Sequence, residues 1–240
     1  MTSWLNVAQR RLAPEVMDDP DLDPERFTGA LRGLERINRW SGSTRIVWSA
    51  IHGLLREPGA GTMRVLDIAT GAGDVPIGLM RRARRAGLSL QVDGCDLSPR
   101  AVTHARERAA EAGVAAQFFQ LDAVRAALPT GYDALVCSLF LHHLTNETAR
   151  ALLARMAGAS RRLVAVNDLV RNRSGLLLAR LGSFVLSACD VVRGDAERSV
   201  RAAFTVAEVR TLAKEAGLHG AVVERRWPRR YLLVWRRSTN

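Results

Sequence analysis

The sequence predicts an α/β fold: a seven-stranded, mostly parallel sheet with a C-terminal antiparallel hairpin, an N-terminal helical cap and a helical lid insertion. Three observations predict it. From residue 63 onward, short apolar, β-branched runs alternate with segments of helical periodicity. The first run leads into a glycine-rich bend, Thr70-Gly71-Ala72-Gly73-Asp74. Three successive runs each close on an aspartate, at Asp67, Asp96 and Asp122.

The elements follow in order. Residues 24 to 57 carry apolar positions at helical spacing, including Phe27, Leu31, Leu34, Ile37, Ile46, Val47, Ile51 and Leu54, broken around Ser41-Gly42-Ser43. They predict a helical cap spanning residues 1–60, which Pro58-Gly59-Ala60-Gly61 ends before a sheet domain over 61–240. Met63 to Ile68 reads as the first strand, followed by the glycine turn and a helix from Val75 to Ala86. Leu90 to Cys95 is the second strand; beyond it Ser98 caps a helix whose first residue is Pro99. Ala116 to Gln120, Asp133 to Ser138 and Leu163 to Val166 give the third to fifth strands. Thr145 and Asn146 cap the helix that ends at Ala159, and Thr205-Val206-Ala207-Glu208 opens another as a capping box. Val222 to Arg226 and Tyr231 to Trp235, joined around Pro228, read as the closing hairpin.

Composition narrows the function. Apolar residues at 48% and charged ones at 25% are ordinary for a globular chain, and 240 residues suit one α/β domain with decoration. The net charge of +11 invites a nucleic-acid reading. However, Lys214 is the only lysine, and the arginines are spread over the whole length, so the charge reads as compositional bias instead. Arg81, Arg82, Arg84 and Arg85 fall on a predicted helix as a solvated face. Cys95, Cys137 and Cys189 are odd in number and lack metal-site spacing, which implies a reducing, cytoplasmic setting. Met1 to Asp23 mixes charges and prolines, unlike a signal peptide, and Gly175 to Val192 is interrupted by Arg180 and Asp190, so no transmembrane segment is expected.

The chemistry sits at the strand ends. Glycines there let the backbone turn sharply and approach a ligand where open α/β sheets bind nucleotides. A dinucleotide binder would want a third glycine three residues after Gly73, and Pro76 stands there. Asp67, a carboxylate at the end of a buried strand, would repel a pyrophosphate and favour an amino-bearing or cationic ligand. Asp96 can accept hydrogen bonds from ribose hydroxyls, and Asp122 from an adenine amino group with the Ala123 N–H donating to the ring.

In order and spacing, Asp67 to Gly73, Asp96 and Asp122-Ala123 resemble the motifs of Rossmann-like class I S-adenosylmethionine-dependent methyltransferases, over roughly residues 60 to 240. The resemblance implies S-adenosylmethionine as cofactor. Its contacts would be Asp67, Ala69, Thr70, Gly71, Gly73, Asp96, Leu97, Asp122, Ala123 and Ser138. Ala69 departs from the family, which usually has the first glycine of its loop there. Asn38, Arg45 and Trp48 are similar to an Asn, Arg, Trp pattern of the ubiquinone and menaquinone methyltransferases, with the spacing one residue shorter. That likeness would place Arg45 beside the cofactor's carboxylate.

The fourth strand runs into Ser138-Leu139-Phe140-Leu141-His142-His143. Either histidine can serve as general base for a phenol or enol oxygen, His143 first, or can simply line the cofactor pocket. The prolines that related nucleobase-amine methyltransferases carry here are absent, and Glu147 lacks the partner of a protein-arginine enzyme. Asp168 reads as a turn residue with no second or third ligand beside it, and no metal is expected. In the insertion from Leu169 to Ala203, Leu176, Leu177, Leu181, Phe184 and Val185 recur at helical spacing, edged by Arg171, Arg173, Arg180 and Arg193. They form either a core-packing stripe or an apolar lid over the acceptor. The expected function is O-methylation of a small aromatic, quinol or polyketide-type acceptor by a monomer or homodimer. The alternatives are C-methylation of a quinone precursor and RNA methylation.

Overall fold

The computed structural model describes residues 7–19, 21–57, 61–186 and 190–238, with the side chains of residue 18 and residues 184–190 also outside the description. The expectations placed on residues 1–6, on Pro58-Gly59-Ala60, on Cys189 and on the Phe184 and Val185 side chains therefore lie outside the described residues.

Seven strands form one sheet in the order β3-β2-β1-β4-β5-β7-β6. β1 (Met63–Ile68), β2 (Leu90–Asp96), β3 (Phe118–Gln120), β4 (Ala134–Ser138) and β5 (Leu163–Leu169) are parallel, while β6 (Val222–Arg226) and β7 (Arg230–Arg236) close the sheet as an antiparallel hairpin. β1, β4 and β5 are covered on both faces, which is why their sequences are almost unbroken apolar runs. Alternate residues feed two cores. Leu66, Ile68, Leu135, Val164 and Tyr231 pack on one face, and Val65, Val92, Val136, Ala165 and Leu232 on the other.

The cap is two helices, α1 (Pro24–Ser41) and α2 (Ser43–Leu55), hinged at Gly42, whose φ of 71° suits a residue without Cβ. The Asp23 carboxylate caps α1 through Glu25 N and Arg26 N. Around the sheet lie α3 (Asp74–Arg85), α4 (Pro99–Glu111), α5 (Asn146–Ala159) and α8 (Val206–Glu215). Ser98 and Thr145 cap α4 and α5, and Thr205 with Glu208 forms the expected capping box of α8. The third strand starts at Phe118 rather than Ala116, and β5 runs three residues further than expected because Asn167 and Asp168 still pair with Leu232 and Tyr231 of β7.

The insertion folds as α6 (Arg173–Leu186) and α7 (Asp190–Ala202), packed on each other and on α1. Here the sequence reading needs correction. Leu176 is buried, but Leu177 and Leu181 are 47% and 57% exposed. The inward face carries Gly175, Leu178, Ala179 and Gly182, a set with the same helical period offset by one position. Nor is Arg171 part of a basic rim. It is buried, donating to both carboxylate oxygens of Glu208 at 2.7 and 3.0 Å.

An N-terminal segment ties the lid to the sheet. The Arg10 guanidinium donates to His142 O (2.9 Å) and Leu144 O (2.6 Å), while Val16 N and Met17 N donate to the Asp195 carboxylate on α7. Among the described residues, no helix is long and apolar enough to cross a membrane.

Candidate active site

Between β1 and β4 the strand order reverses, and the loops leaving their carboxyl ends diverge to open a crevice. Roofed by α1, α6 and α7, it becomes a cavity of about 1000 Å³. Of the residues singled out from sequence, Asp67, Ala69, Thr70, Gly71, Asp96, Leu97, Asp122, Ala123, Ser138, His142 and His143 all line it. Gly73 and Arg45 do not.

Gly73 acts from beneath. A Cβ there would stand 2.9 Å from Phe118 Cζ, so its lack of a side chain lets the bend pack on the sheet. Arg45 is exposed on α2, with its guanidinium over Gly42. Helical phase turns it away: its neighbours Ile46 and Val47 take the core face. Arg100, Arg125, Arg229 and Arg230 line the cavity instead, and of these Arg230, at the start of β7, is the buried one. It is buried and donates to Ser43 Oγ (2.6 Å) and Ser41 Oγ (2.5 Å). Burial pulls its pKa down to about 10, still a cation at neutral pH.

At the bend, Gly71 has φ 54° and donates its N–H to Asp96 Oδ2 at 2.8 Å, while Ser98 N donates to Asp96 Oδ1 at 3.0 Å. Ala69 shares the left-handed backbone at φ 54°, a conformation that L residues with a Cβ resist. Thr70 Oγ1 donates to Asp67 Oδ2 at 2.7 Å, and Asp67 Oδ1 is buried with no partner. Burial, reinforced by Asp74 and Asp96, pushes the Asp67 carboxyl up to about 8 against the pull of Thr70. Asp122 fixes its own turn, accepting from Val124 N and Arg125 N through Oδ1.

The opposite end of the cavity is built around His142. Asp168 lies at the end of β5, fully buried, and accepts from the His142 backbone N (3.0 Å) while meeting His142 Nδ1 at 2.7 Å. Asp168 thus orients the imidazole, which corrects its reading as a turn residue: tertiary pairing of β5 with β7 extends the strand through it. Glu15 closes the other side, its carboxylate 3.6 Å from His142 Nε2 and 3.9 Å from His143 Nε2, and accepting from the Ser199 hydroxyl. Burial alone would lower the His142 pKa, but the charge and hydrogen bond of Asp168 and the pairing with Glu15 outweigh it and raise it to about 10. Burial likewise opposes the Asp168 and Glu15 carboxylates, yet His142 holds both below the ordinary range.

Sequence reasoning missed Glu15, Arg230 and Gly94. No local signal marked Glu15, which reaches His142 across 127 positions of chain only through tertiary contact. Arg230 was one arginine among many in the predicted hairpin. Gly94 did carry a legible signal, a glycine inside a strand, which marks a close approach. A Cβ there would fall 2.8 Å from both Thr70 Oγ1 and Phe118 Cδ1.

Residues 65–162 match the family described as "Methyltransferase domain". That stretch runs from β1 to the start of β5, so the match, the strand order and the glycine bend together make this part of the chain similar to a class I methyltransferase domain, as the motif resemblance implied. The sequence is similar, more particularly, to demethylmenaquinone methyltransferases. The Thermus thermophilus enzyme is 34% identical over 103 residues, covering 42% of this chain and 45% of the relative. The Deinococcus radiodurans enzyme is 33% identical over 86 residues, covering 35% and 34%. The chain thus spans less than half the length of these curated relatives. Solved structures share the fold at low identity. The magnesium protoporphyrin IX methyltransferase of Synechocystis PCC 6803 with bound SAH superposes at TM-score 0.58, 21% identity, over 82% of this chain and 84% of that one. Human N-acetylserotonin methyltransferase in complex with SAM gives 0.63 and 18% over 87% and 55%.

Proposed function

We propose that this chain transfers the methyl group of S-adenosylmethionine to a hydroxyl oxygen of a small aromatic, quinol or polyketide-type acceptor. One observation carries the reading: a single cavity joins an acidic glycine bend, whose buried Asp67 Oδ1 lacks a partner, to a histidine pair held by carboxylates. The residues fit the cofactor. Asp67 offers an unused acceptor to an amino group, Asp96 and Asp122 border the cavity one and two strands away, and Gly71 leaves the bend open, since a Cβ there would meet nothing. S-adenosylmethionine supplies an already activated methyl group, so the protein's work is to orient and desolvate the acceptor.

Ser138 and Leu139, at the end of β4, line the passage between the two ends; Asn167 Nδ2 donates to Ser138 Oγ at 2.7 Å and fixes it. The lid face of Leu178, Ala179 and Gly182 suits an apolar acceptor and excludes water. His143 takes the acceptor proton. His142, fixed between Asp168 and Glu15, positions the acceptor oxygen against it. The helices within residues 1–60 act as a cap on the catalytic domain of 61–240 rather than as a separate unit. We place the enzyme in the cytoplasm as a monomer or homodimer, in keeping with the buried free thiols of Cys95 and Cys137.

A second reading, methyl transfer to a quinone-precursor carbon, is supported by the names of the Thermus and Deinococcus relatives. One assay tests both. Purified protein incubated with methyl-labelled S-adenosylmethionine and a panel of phenols, quinols and naphthoquinols should yield a labelled small-molecule product. NMR then distinguishes an O-methyl ether from a C-methyl group. Absence of S-adenosylhomocysteine binding would overturn the reading outright, and label recovered only in added RNA would overturn the acceptor class.

A further inference from the structure

We propose that Glu15, His142 and His143 form a binding site for a divalent transition-metal ion at the acceptor end of the cavity. The site itself stands on geometry. What the ion does there rests on the methyl-transfer reading above.

One ligand atom from each residue lies within 4.8 Å of the others. Glu15 Oε1 is 3.6 Å from His142 Nε2, and Glu15 Oε2 is 3.9 Å from His143 Nε2. Both gaps are too long for hydrogen bonds. An ion bonded to nitrogen and oxygen at about 2.0–2.2 Å holds neighbouring ligand atoms roughly 3.0–3.4 Å apart. Contraction by about 0.2–0.5 Å brings these two gaps to the upper end of that range, and about 1.4 Å brings in a pair at the 4.8 Å limit, so the set closes by side-chain rotation. The three groups converge on one point that an ion can occupy after that rotation.

Each ligand is oriented by a group that is not itself a ligand. Asp168 Oδ1 holds His142 Nδ1 at 2.7 Å and Oδ2 accepts from its backbone N–H, which turns Nε2 toward the site. A carboxylate on the far nitrogen is the usual companion of a metal-bound imidazole. His143 stacks on Phe140 with ring centroids 5.9 Å apart. Glu15 accepts from the Ser199 hydroxyl, and the backbone just after it is anchored by Asp195, at 3.0 Å to Val16 N and 3.2 Å to Met17 N. The ligands thus converge from two distant segments, the turn after β4 and the N-terminal segment, which only the folded lid brings together.

Two imidazoles and one carboxylate select zinc, cobalt, nickel or ferrous iron over magnesium or calcium, which prefer all-oxygen sets. Three protein ligands leave coordination positions open, and all three residues line the cavity. With the ion bound, His143 would serve as a ligand in place of its role as base, and an acceptor hydroxyl in an open position would become more acidic, losing its proton to solvent and presenting an oxyanion to the methyl donor. On metal binding, His142 gives up its Nε2 proton to solvent.

The test uses untagged full-length protein stripped with EDTA and titrated with Zn2+ and Co2+, without S-adenosylmethionine or acceptor. One equivalent of either ion should bind, Co2+ should develop visible d–d absorption, and Mg2+ should not compete. Glu15→Gln and His143→Ala should each weaken Zn2+ by more than the roughly 10–100-fold that loss of an outer-shell partner costs, and Asp168→Asn by about that factor. Circular dichroism on each variant separates lost binding from lost fold, and His143, partly exposed, is the least demanding substitution. The proposal is overturned if intact protein binds no stoichiometric Zn2+, or if affinity survives both Glu15→Gln and His143→Ala. S-adenosylhomocysteine binding is measured on the same samples. Its retention alongside absent metal binding leaves methyl transfer standing with proton transfer at the histidines alone.

Discussion

Binding of S-adenosylhomocysteine should expel a proton from Asp67. In the free protein this carboxyl is buried, has one oxygen without a partner, and sits near the negative charges of Asp74 and Asp96, so its pKa is lifted to about 8. At pH 7, one unit below that value, about 90% of the groups are protonated. A bound ammonium favours the ionised form, so binding should release about 0.9 proton at pH 7 and about half a proton at pH 8. Affinity should accordingly climb about tenfold per pH unit below 8 and then level off. The same shift governs stability. Because the folded pKa lies above the ordinary 3.8, the protonated Asp67 contributes stability that is full below that value and declines as pH rises through 8. At about 1.4 kcal/mol per unit, the ceiling of that decline is about 6 kcal/mol. The assay is isothermal titration at pH 6, 7 and 8 in two buffers of different ionisation enthalpy, repeated with Asp67→Asn, which can still accept from Thr70. A binding enthalpy independent of buffer at pH 7, or proton release persisting in Asp67→Asn, would refute the reasoning.

Other expectations follow from single contacts. Ala69→Gly should stabilise the protein by about 0.5–1 kcal/mol in urea denaturation, since glycine adopts the left-handed φ of 54° without Cβ strain; a loss of stability would contradict it. Gly94→Ala should cost about 1–3 kcal/mol and also weaken S-adenosylhomocysteine binding, because the new Cβ displaces Thr70 from Asp67; calorimetry showing unchanged affinity would separate the two sites. Asp168→Ala should destabilise by about 3–5 kcal/mol by leaving His142 charged and buried. The pairing also sets a pH optimum. The raised His142 pKa gives stability that is full below 6.5 and fades as pH rises through about 10, while the depressed Asp168 and Glu15 values give stability present above their ordinary 3.8 and 4.5 and lost as pH falls. Asp67 accounts for a decline that ends near pH 8, so melting temperature should continue to fall between about pH 8 and 10 in the wild type but not in His142→Phe.

The sequence by itself determined the strand–helix alternation, the capping signals and the acidic ends of the first three strands. These rest on local rules: strand and helix periods, residue preferences at helix starts, and the glycine bend. The half of the cavity proposed to hold the cofactor was legible for the same reason, since its residues lie within a few positions of strand ends. What the tertiary structure alone decided was the half around His142, proposed to take the acceptor. Strand pairing made Asp168 a buried partner of His142, helical phase turned Arg45, Leu177 and Leu181 outward, and β7 brought Arg230 inward. Glu15 reached the histidines only because the N-terminal segment folds against the lid. A contact between residues more than a hundred positions apart leaves no periodic trace in a chain, so it exists only once the core has fixed where each segment lies.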